Sequence, residues 1–193
     1  MGKLQKAGDE EVVYQGRMLE IVNQAMSDGA KTITFEWARR APGIRLILVD
    51  SKKQTILLTK EHRYELDSDD YRLPGGKVFD SLTEYNNFLA TGKNIIEPAT
   101  QKAHGEAEEE AGVKVENLEH YHTSKCGATV QWDLLYFVGK DWKATKQKLE
   151  LGEEIGVEEV TFNEAFQIAL DGRMSEERSA LILLRYLKAQ SYV

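Results

Sequence analysis

The stretch "HGEAEEEAGV", residues 104–113, decides how this chain is read. Four of the five residues from Glu106 to Glu110 are glutamates. On a helix, Glu106 and Glu109 stand i, i+3, and Glu106 and Glu110 stand i, i+4. All three therefore project from neighbouring positions on one side, while Glu108 points elsewhere. Each like-charged pair at that spacing destabilises a helix by roughly 0.2–0.5 kcal/mol. The dipole at a helix C-terminus disfavours anions as well. A hard divalent cation reverses the sign of both effects. Mg²⁺ takes carboxylate oxygens, keeps several waters and leaves room for a phosphate. The plain alternative is a solvated acidic face. Two features of context count against it: an alanine stripe on the same helix and an "LPGG" turn (73–76) upstream.

The spacing predicts a helix from Pro98, which suits the first helical position, to Gly112, which suits the position just past the end. Ala99, Ala103, Ala107 and Ala111 recur every four residues, and their small side chains let that face sit close to a sheet. Working outward, residues 11–38 read as short strands broken by "SDGA". "IRLILVD" (44–50) and "QTILLTKEHRY" (54–64) read as two strands joined at "SKK". "YRLPGGKVF" (71–79) carries a strand into a Pro-Gly-Gly turn. Residues 82–90 suit a short helix that uses Leu82, Tyr85 and Leu89. Strands are expected at 113–123, at 129–139 and in "GVEEVTF". Asn163 is expected to cap a helix over "EAFQIALDG", and Ser175 the last one, with Leu181, Leu183, Leu184 and Leu187 as its apolar positions. Strands dominate early and helices late, which is an α+β pattern and not a βαβ alternation.

The bulk numbers bound the function. The 193 residues suffice for one full domain, and 41% hydrophobic content supports a sizeable core. The net charge of −7 has no basic stripe within it, so nucleic acid is not an expected partner. An acidic protein that handles a polyanion needs a divalent cation between the two. One cysteine, Cys126, excludes an internal disulfide and speaks against a Cys-based zinc site. The four histidines show no ligand spacing. The opening "MGKLQKAGDEEVV" has no apolar signal core and lacks the Ser or Thr of a myristoylation signal. No apolar run reaches transmembrane length. A reducing, cytoplasmic setting without membrane contact is the expectation.

"GEAEEEAGV" (105–113) resembles the core of the Nudix box, R-E-U-x-E-E-x-G-U with U aliphatic. Glu106, Glu109, Glu110, Gly112 and Val113 match it. Glu97 stands where the motif's earlier Glu belongs, and "LPGGKV" (73–78) is similar to the usual approach, with Gly76 as the first glycine. The resemblance implies a Nudix fold, a mixed sheet sandwiched between helices. The N-terminal strands and the C-terminal segment extend it over nearly the whole chain. It points to the branch that hydrolyses ADP-ribose and nucleoside diphosphate sugars. That reading implies an N-terminal β-strand region (1–43), exchanged across a homodimer, and a catalytic domain (44–193).

Three departures stand out. Gly76 and Glu97 are separated by twenty residues, roughly fifteen more than the motif holds, and such a loop insertion costs little closure entropy. It is expected beside the site, as a lid or a dimer contact. The motif Arg is Gly105, a residue that costs about 1 kcal/mol against Ala in mid-helix. Lys102 is one candidate to take over its orienting role. "TSKCGAT" (123–129) replaces the branch's usual Ser-Pro-Gly loop, which leaves sugar nucleotides open beside ADP-ribose.

The resemblance implies that Glu106 and Glu110 ligate Mg²⁺ or Mn²⁺, that Glu109 assists, and that the carbonyl of Gly75 or Gly76 completes the shell. Water then attacks one phosphorus of a nucleoside diphosphate linked to a moiety X, giving NMP and phosphorylated X. The general base is Glu153 or Glu154 in "LGEE"; the alternative for that segment is an acidic surface loop. Arg63 stands where the branch places a substrate-contacting Arg, and Arg39 and Arg40 are further candidates, each set against a merely solubilising role. Trp37, Tyr14 and Phe35 suit nucleobase stacking or a core position. Trp132 reads as structural. Two other functions compete: a catalytically weak Nudix-like domain that senses a nucleotide, favoured by Gly105, and a nucleoside triphosphate pyrophosphohydrolase, disfavoured by the long N-terminal region.

Overall fold

The computed structural model describes residues 3–149 and 154–193. In chain order the strands are β1 Gln5–Lys6, β2 Glu11–Gln15, β3 Leu19–Ser27, β4 Thr32–Arg40, β5 Gly43–Asp50, β6 Thr55–Arg63 and β7 Ser68–Arg72. They continue as β8 Val113–Lys114, β9 Leu118–Ser124, β10 Val130–Gln131, β11 Leu134–Lys140, β12 Lys143–Ala144 and β13 Ile155–Thr161. The helices are α1 Leu82–Ala90, α2 Ile96–Glu109, α3 Phe162–Leu170 and α4 Glu177–Ala189. Contacts divide the chain into two compact units. The first is the described part of Met1–Pro42 with Lys77–Asn94 and Lys125–Leu134; the second is the described remainder.

The first unit holds a five-stranded sheet in the order β1-β3-β4-β10, with β2 also on β3. β3 and β4 form a nine-pair antiparallel hairpin, and β10 runs parallel to β4 through Val130↔Ala38. The Asp28 carboxylate closes the hairpin turn by accepting the N–H groups of Ala30 and Lys31. Alternate residues of β3, namely Glu20, Val22 and Gln24, are buried, as a period of two requires. α1 lies in the insertion and spans the predicted residues. Ser81 caps it by accepting from the N–H of Glu84, while Glu84 reaches back to the N–H of Asp80. Leu82 is buried, and Phe79 packs on Tyr85 and Phe88; Leu89, expected on the apolar side, is exposed.

The second unit is built on a six-stranded sheet, β13-β6-β5-β11-β9, with β7 also on β6 and a separate β12-β8 pair. β5 and β11 are buried at nearly every successive residue. A strand with one wet face alternates, so these two are covered on both faces. Each fully buried Leu or Ile among them, such as Leu46, Ile47, Leu48 and Leu134, contributes roughly 1.5–3 kcal/mol. α2 packs on β5, β8 and β9 through Ala99, Ala103 and Ala107, all with no exposed surface. The alanine stripe is therefore the sheet-facing side.

Several element boundaries differ from the sequence reading. α2 starts at Ile96, which puts Pro98 at its third position, and its last N–H bond at the C-cap is from Glu110 to the carbonyl of Glu106. The region 113–123 divides into β8 and β9, and 129–139 into β10 and β11 with Trp132 and Asp133 between. Thr161, not Asn163, caps α3: its hydroxyl accepts from the N–H of Glu164. Ser175 does not cap α4: the helix begins at Glu177 with Glu176 at its N-cap, and the Ser175 N–H and hydroxyl both donate to Asp70. Leu181 is exposed, while Ala180, Ile182, Leu183, Tyr186 and Leu187 form the buried side of that helix.

Candidate active site

The chain after β7, Leu73-Pro74-Gly75-Gly76, is pinned along β5. The N–H of Leu46 donates to the carbonyl of Pro74 at 2.8 Å, and that of Ile44 to the carbonyl of Gly76 at 2.9 Å. Gly75 is required by close approach to backbone, and Gly76 leaves room for the side chain of Glu106. A Cβ on Gly75 would lie 2.2 Å from the Ile44 carbonyl oxygen, and its φ of +152° disfavours any L side chain. A Cβ on Gly76 would lie 2.0 Å from Oε1 of Glu106.

α2 brings its acidic end to this turn. Glu106 sets its carboxylate against Gly76. Glu110, one helical turn on, accepts the N–H of Gly75 on Oε2 at 2.7 Å, a charge-assisted bond of the stronger kind. Two half-buried carboxylates thus converge on one glycine turn. Glu109 is exposed. Glu108 lies 3.7 Å from both Lys114 and Lys148, which disperse its charge. Among the described residues no three His, Cys, Asp or Glu side chains gather as a metal shell on their own. The donor set nevertheless fits Mg²⁺ or Mn²⁺. These ions take one or two carboxylates and complete an oxygen shell with water and substrate phosphate.

The structure brings together Glu106, Glu110, Gly75 and Gly76. Glu154 is exposed just ahead of β13, and Glu153 lies outside the described residues. Arg63, at the end of β6, is held by Glu61 and Glu65. In the first unit, Arg39 donates to fully buried Glu20 at 2.6 Å and to Glu10 at 2.8 Å. Burial alone would depress the Arg39 guanidinium, but these two carboxylates outweigh it and raise its pKa. Arg40 lies 4.5 Å over the ring of Trp132. Both arginines line a cavity of about 350 Å³ in that unit with Tyr85, Lys125, Cys126 and Gln131. Lys125 is itself paired with Asp133 at 3.0 Å. Trp37 is half-buried, with an unpartnered indole N–H. Phe35 and Tyr14 are exposed on the N-terminal strands.

Sequence reasoning missed Gln147. Its side-chain amide donates to the carbonyls of Glu110 at 2.6 Å and Ile155 at 3.0 Å. It thereby ties the end of α2 to the start of β13, next to Glu154. Nothing in the sequence marks a lone loop glutamine for that role. Gly105, where the motif has Arg, has open space: an added Cβ would meet only Glu109 Oε1, at 3.8 Å.

The fold defines a class first. The crystal structure of an ADP compounds hydrolase aligns with all of this chain and all of its own, with a TM-score of 0.70 at 18% identity. The chain has that α+β Nudix fold. A particular relative follows from sequence. A CMP-5'-(N-acetyl-N-hydroxy-3-aminopropyl)phosphonate hydrolase of Streptomyces rubellomurinus is 33% identical over 115 residues, 59% of this chain. Those residues make up 48% of the relative, so the match spans about half its length. No protein-family profile matches the sequence. Among the described residues no helix is long and apolar enough to cross a membrane.

Proposed function

We propose that the chain hydrolyses, with a divalent cation, the anhydride bond of a nucleotide joined through its phosphate to a second phosphorus group. Nucleoside diphosphate sugars and ADP-ribose-like molecules are the substrate class, and NMP and a sugar phosphate are the products. The observation that carries this reading is the convergence of Glu106 and Glu110 on the Gly75–Gly76 turn. The similarity to a hydrolase of a CMP-linked phosphonate supports the same bond type. The cation supplies charge neutralisation at the phosphates and an acidified water. Glu106 and Glu110 hold it, while the Gly75 N–H fixes the Glu110 carboxylate in place. Glu109 assists from the exposed side of α2. Glu153 or Glu154 orients and deprotonates the attacking water.

The test is turnover of CDP-linked compounds, ADP-ribose, ADP-glucose, GDP-mannose and UDP-glucose with Mg²⁺ and Mn²⁺, read by phosphate release after phosphatase coupling. Glu110→Gln is the control and abolishes turnover. Glu153→Gln and Glu154→Gln, made singly, identify the base as the variant that loses turnover and keeps cation binding. Substrate contact by Arg63, Arg39, Arg40 and Trp37 is read from KM in the alanine variants. A nucleotide-sensing domain is the second reading, favoured by Gly105. Tight nucleotide binding without metal-dependent turnover on any substrate, triphosphates included, would establish it. The first unit exposes Val12, Val13, Tyr14, Ile33 and Phe35, and such apolar surface supports a homodimer through the N-terminal strands. Phe35→Glu then shifts the sedimenting mass from dimer to monomer.

A further inference from the structure

A buried polar chain runs from β11 through α4 to the glycine turn, and the proposed reaction makes no direct use of it. Tyr136 on β11 meets Ser179 at 3.2 Å, oxygen to oxygen. Ser179 spends its proton on Oε2 of Glu176, at 2.6 Å. Tyr136 must therefore be the donor in the first bond. Burial pushes the Tyr136 hydroxyl up to about 12, so it keeps that proton. The same Glu176 oxygen accepts from Nε of buried Arg45, at 3.3 Å. Arg45 then donates through Nη1 to the carbonyl of Ile44, at 2.8 Å. That carbonyl oxygen is the atom that closes on Gly75, leaving no room for a Cβ.

A second tether starts one residue earlier. Both the N–H and the hydroxyl of Ser175 donate to Asp70 on β7, at 2.8 and 2.9 Å. Asp70 is 2% exposed. β7 leads directly into Leu73-Pro74-Gly75. The Ser175–Glu176 step therefore grips the glycine turn from two directions: through β7, which feeds it, and through Ile44, which backs it.

We propose that Arg45 and Glu176 are positioning residues for the cation site. They fix the Ile44 carbonyl, which sets Gly75 so that its N–H meets Glu110 and its neighbour Gly76 seats Glu106. This inference rests on the reading of Glu106 and Glu110 as cation ligands. Partners one step behind the ligands typically change metal affinity by about 10–100-fold when removed.

The test uses the full chain and two readouts, neither of which is turnover. The first is Mn²⁺ affinity by calorimetry. The second is hydrogen exchange of the Gly75 amide by NMR with no cation present. Arg45→Met and Glu176→Gln are expected to weaken Mn²⁺ binding about 10–100-fold and to speed exchange at Gly75, while Arg45→Lys restores much of both. Glu176→Gln keeps the shape of the side chain, so it serves if Arg45→Met fails to fold. Normal Gly75 exchange in a folded variant overturns the relay, whatever the cation does. Faster Gly75 exchange in the variants, in a protein whose wild type binds no Mn²⁺, upholds the relay and refutes the cation site instead. Loss of thermal stability with unchanged affinity and exchange marks the chain as structural only.

Discussion

Gly76→Ala separates the site from the fold. The added methyl would stand 2.0 Å from Oε1 and 2.6 Å from Cδ of Glu106. Real contacts of this kind essentially never fall below 3.0 Å, so the carboxylate must withdraw by about 1 Å. The backbone at Gly76 is not left-handed, and the atoms that yield are the far end of a flexible side chain. The cost therefore falls on the placement of Glu106 and not on stability. A misplacement of about 1 Å costs about 100-fold in rate, or about 2.7 kcal/mol of barrier. Gly75→Ala gives the contrasting result. Its methyl meets backbone, 2.2 Å from the Ile44 oxygen, at a φ of +152°. Strain of that kind costs on the order of 1–3 kcal/mol in folding, and the melting temperature falls by about 2–4 °C for each kcal/mol. The assay is metal-dependent turnover beside Mn²⁺ calorimetry and thermal unfolding. A Gly76→Ala protein with full turnover and wild-type Mn²⁺ affinity would refute the assignment of Glu106.

Other outcomes follow from the same contacts. Gly105→Ala fills open space in a helix and stabilises by about 1 kcal/mol, measured by urea unfolding; Gly105→Arg, which restores the motif residue, raises Mn²⁺ affinity. Arg39→Met leaves Glu20 buried without its cation and destabilises by about 3–5 kcal/mol in the same measurement. Thr161→Ala removes the α3 cap and costs about 1 kcal/mol. The pH dependence has a definite sign. Burial would raise the Glu10 carboxyl, but hydrogen bonds from Lys6 and Arg39 outweigh it and hold it below its ordinary range. Hydrogen bonds from Thr55 and Lys53 lower Glu159, and the Arg173 side chain lowers Asp171. Each therefore protonates at lower pH in the folded chain than in the unfolded one. Their stabilisation is present at neutral pH and declines as the solution is acidified below the ordinary carboxyl values of 4.5 and 3.8. Denaturation midpoints at pH 7 and at roughly pH 3.5 check it; an equal or higher midpoint in acid contradicts it.

The parts that were legible in the sequence are those whose signal is local. The alanine stripe declared the buried side of α2, because four-residue spacing and small side chains are properties of the segment itself. The glutamate spacing put Glu106 and Glu110 on one side of the helix for the same reason. Capping was less legible. Thr161, Asn163 and Ser175 are all acceptable caps by type, and only the packed chain shows at which residue each helix starts. Asp70, 105 residues away in sequence, takes up Ser175.

The sequence by itself determined the α+β pattern, the acidic helix, the glycine pair and the resemblance that joins them, because composition and periodicity act within a few turns of chain. Only the tertiary structure decided that Glu106 and Glu110 meet Gly76 and Gly75, and that Glu108 lies near Lys114 and Lys148. It alone showed that Arg39 is already paired with Glu20 and Glu10, and that Gln147, Arg45 and Glu176 stand behind the site. Those are hydrogen bonds between residues up to 131 positions apart. Their formation depends on which groups the sheet and helices bury together, and a buried polar atom must find whichever partner packing places beside it.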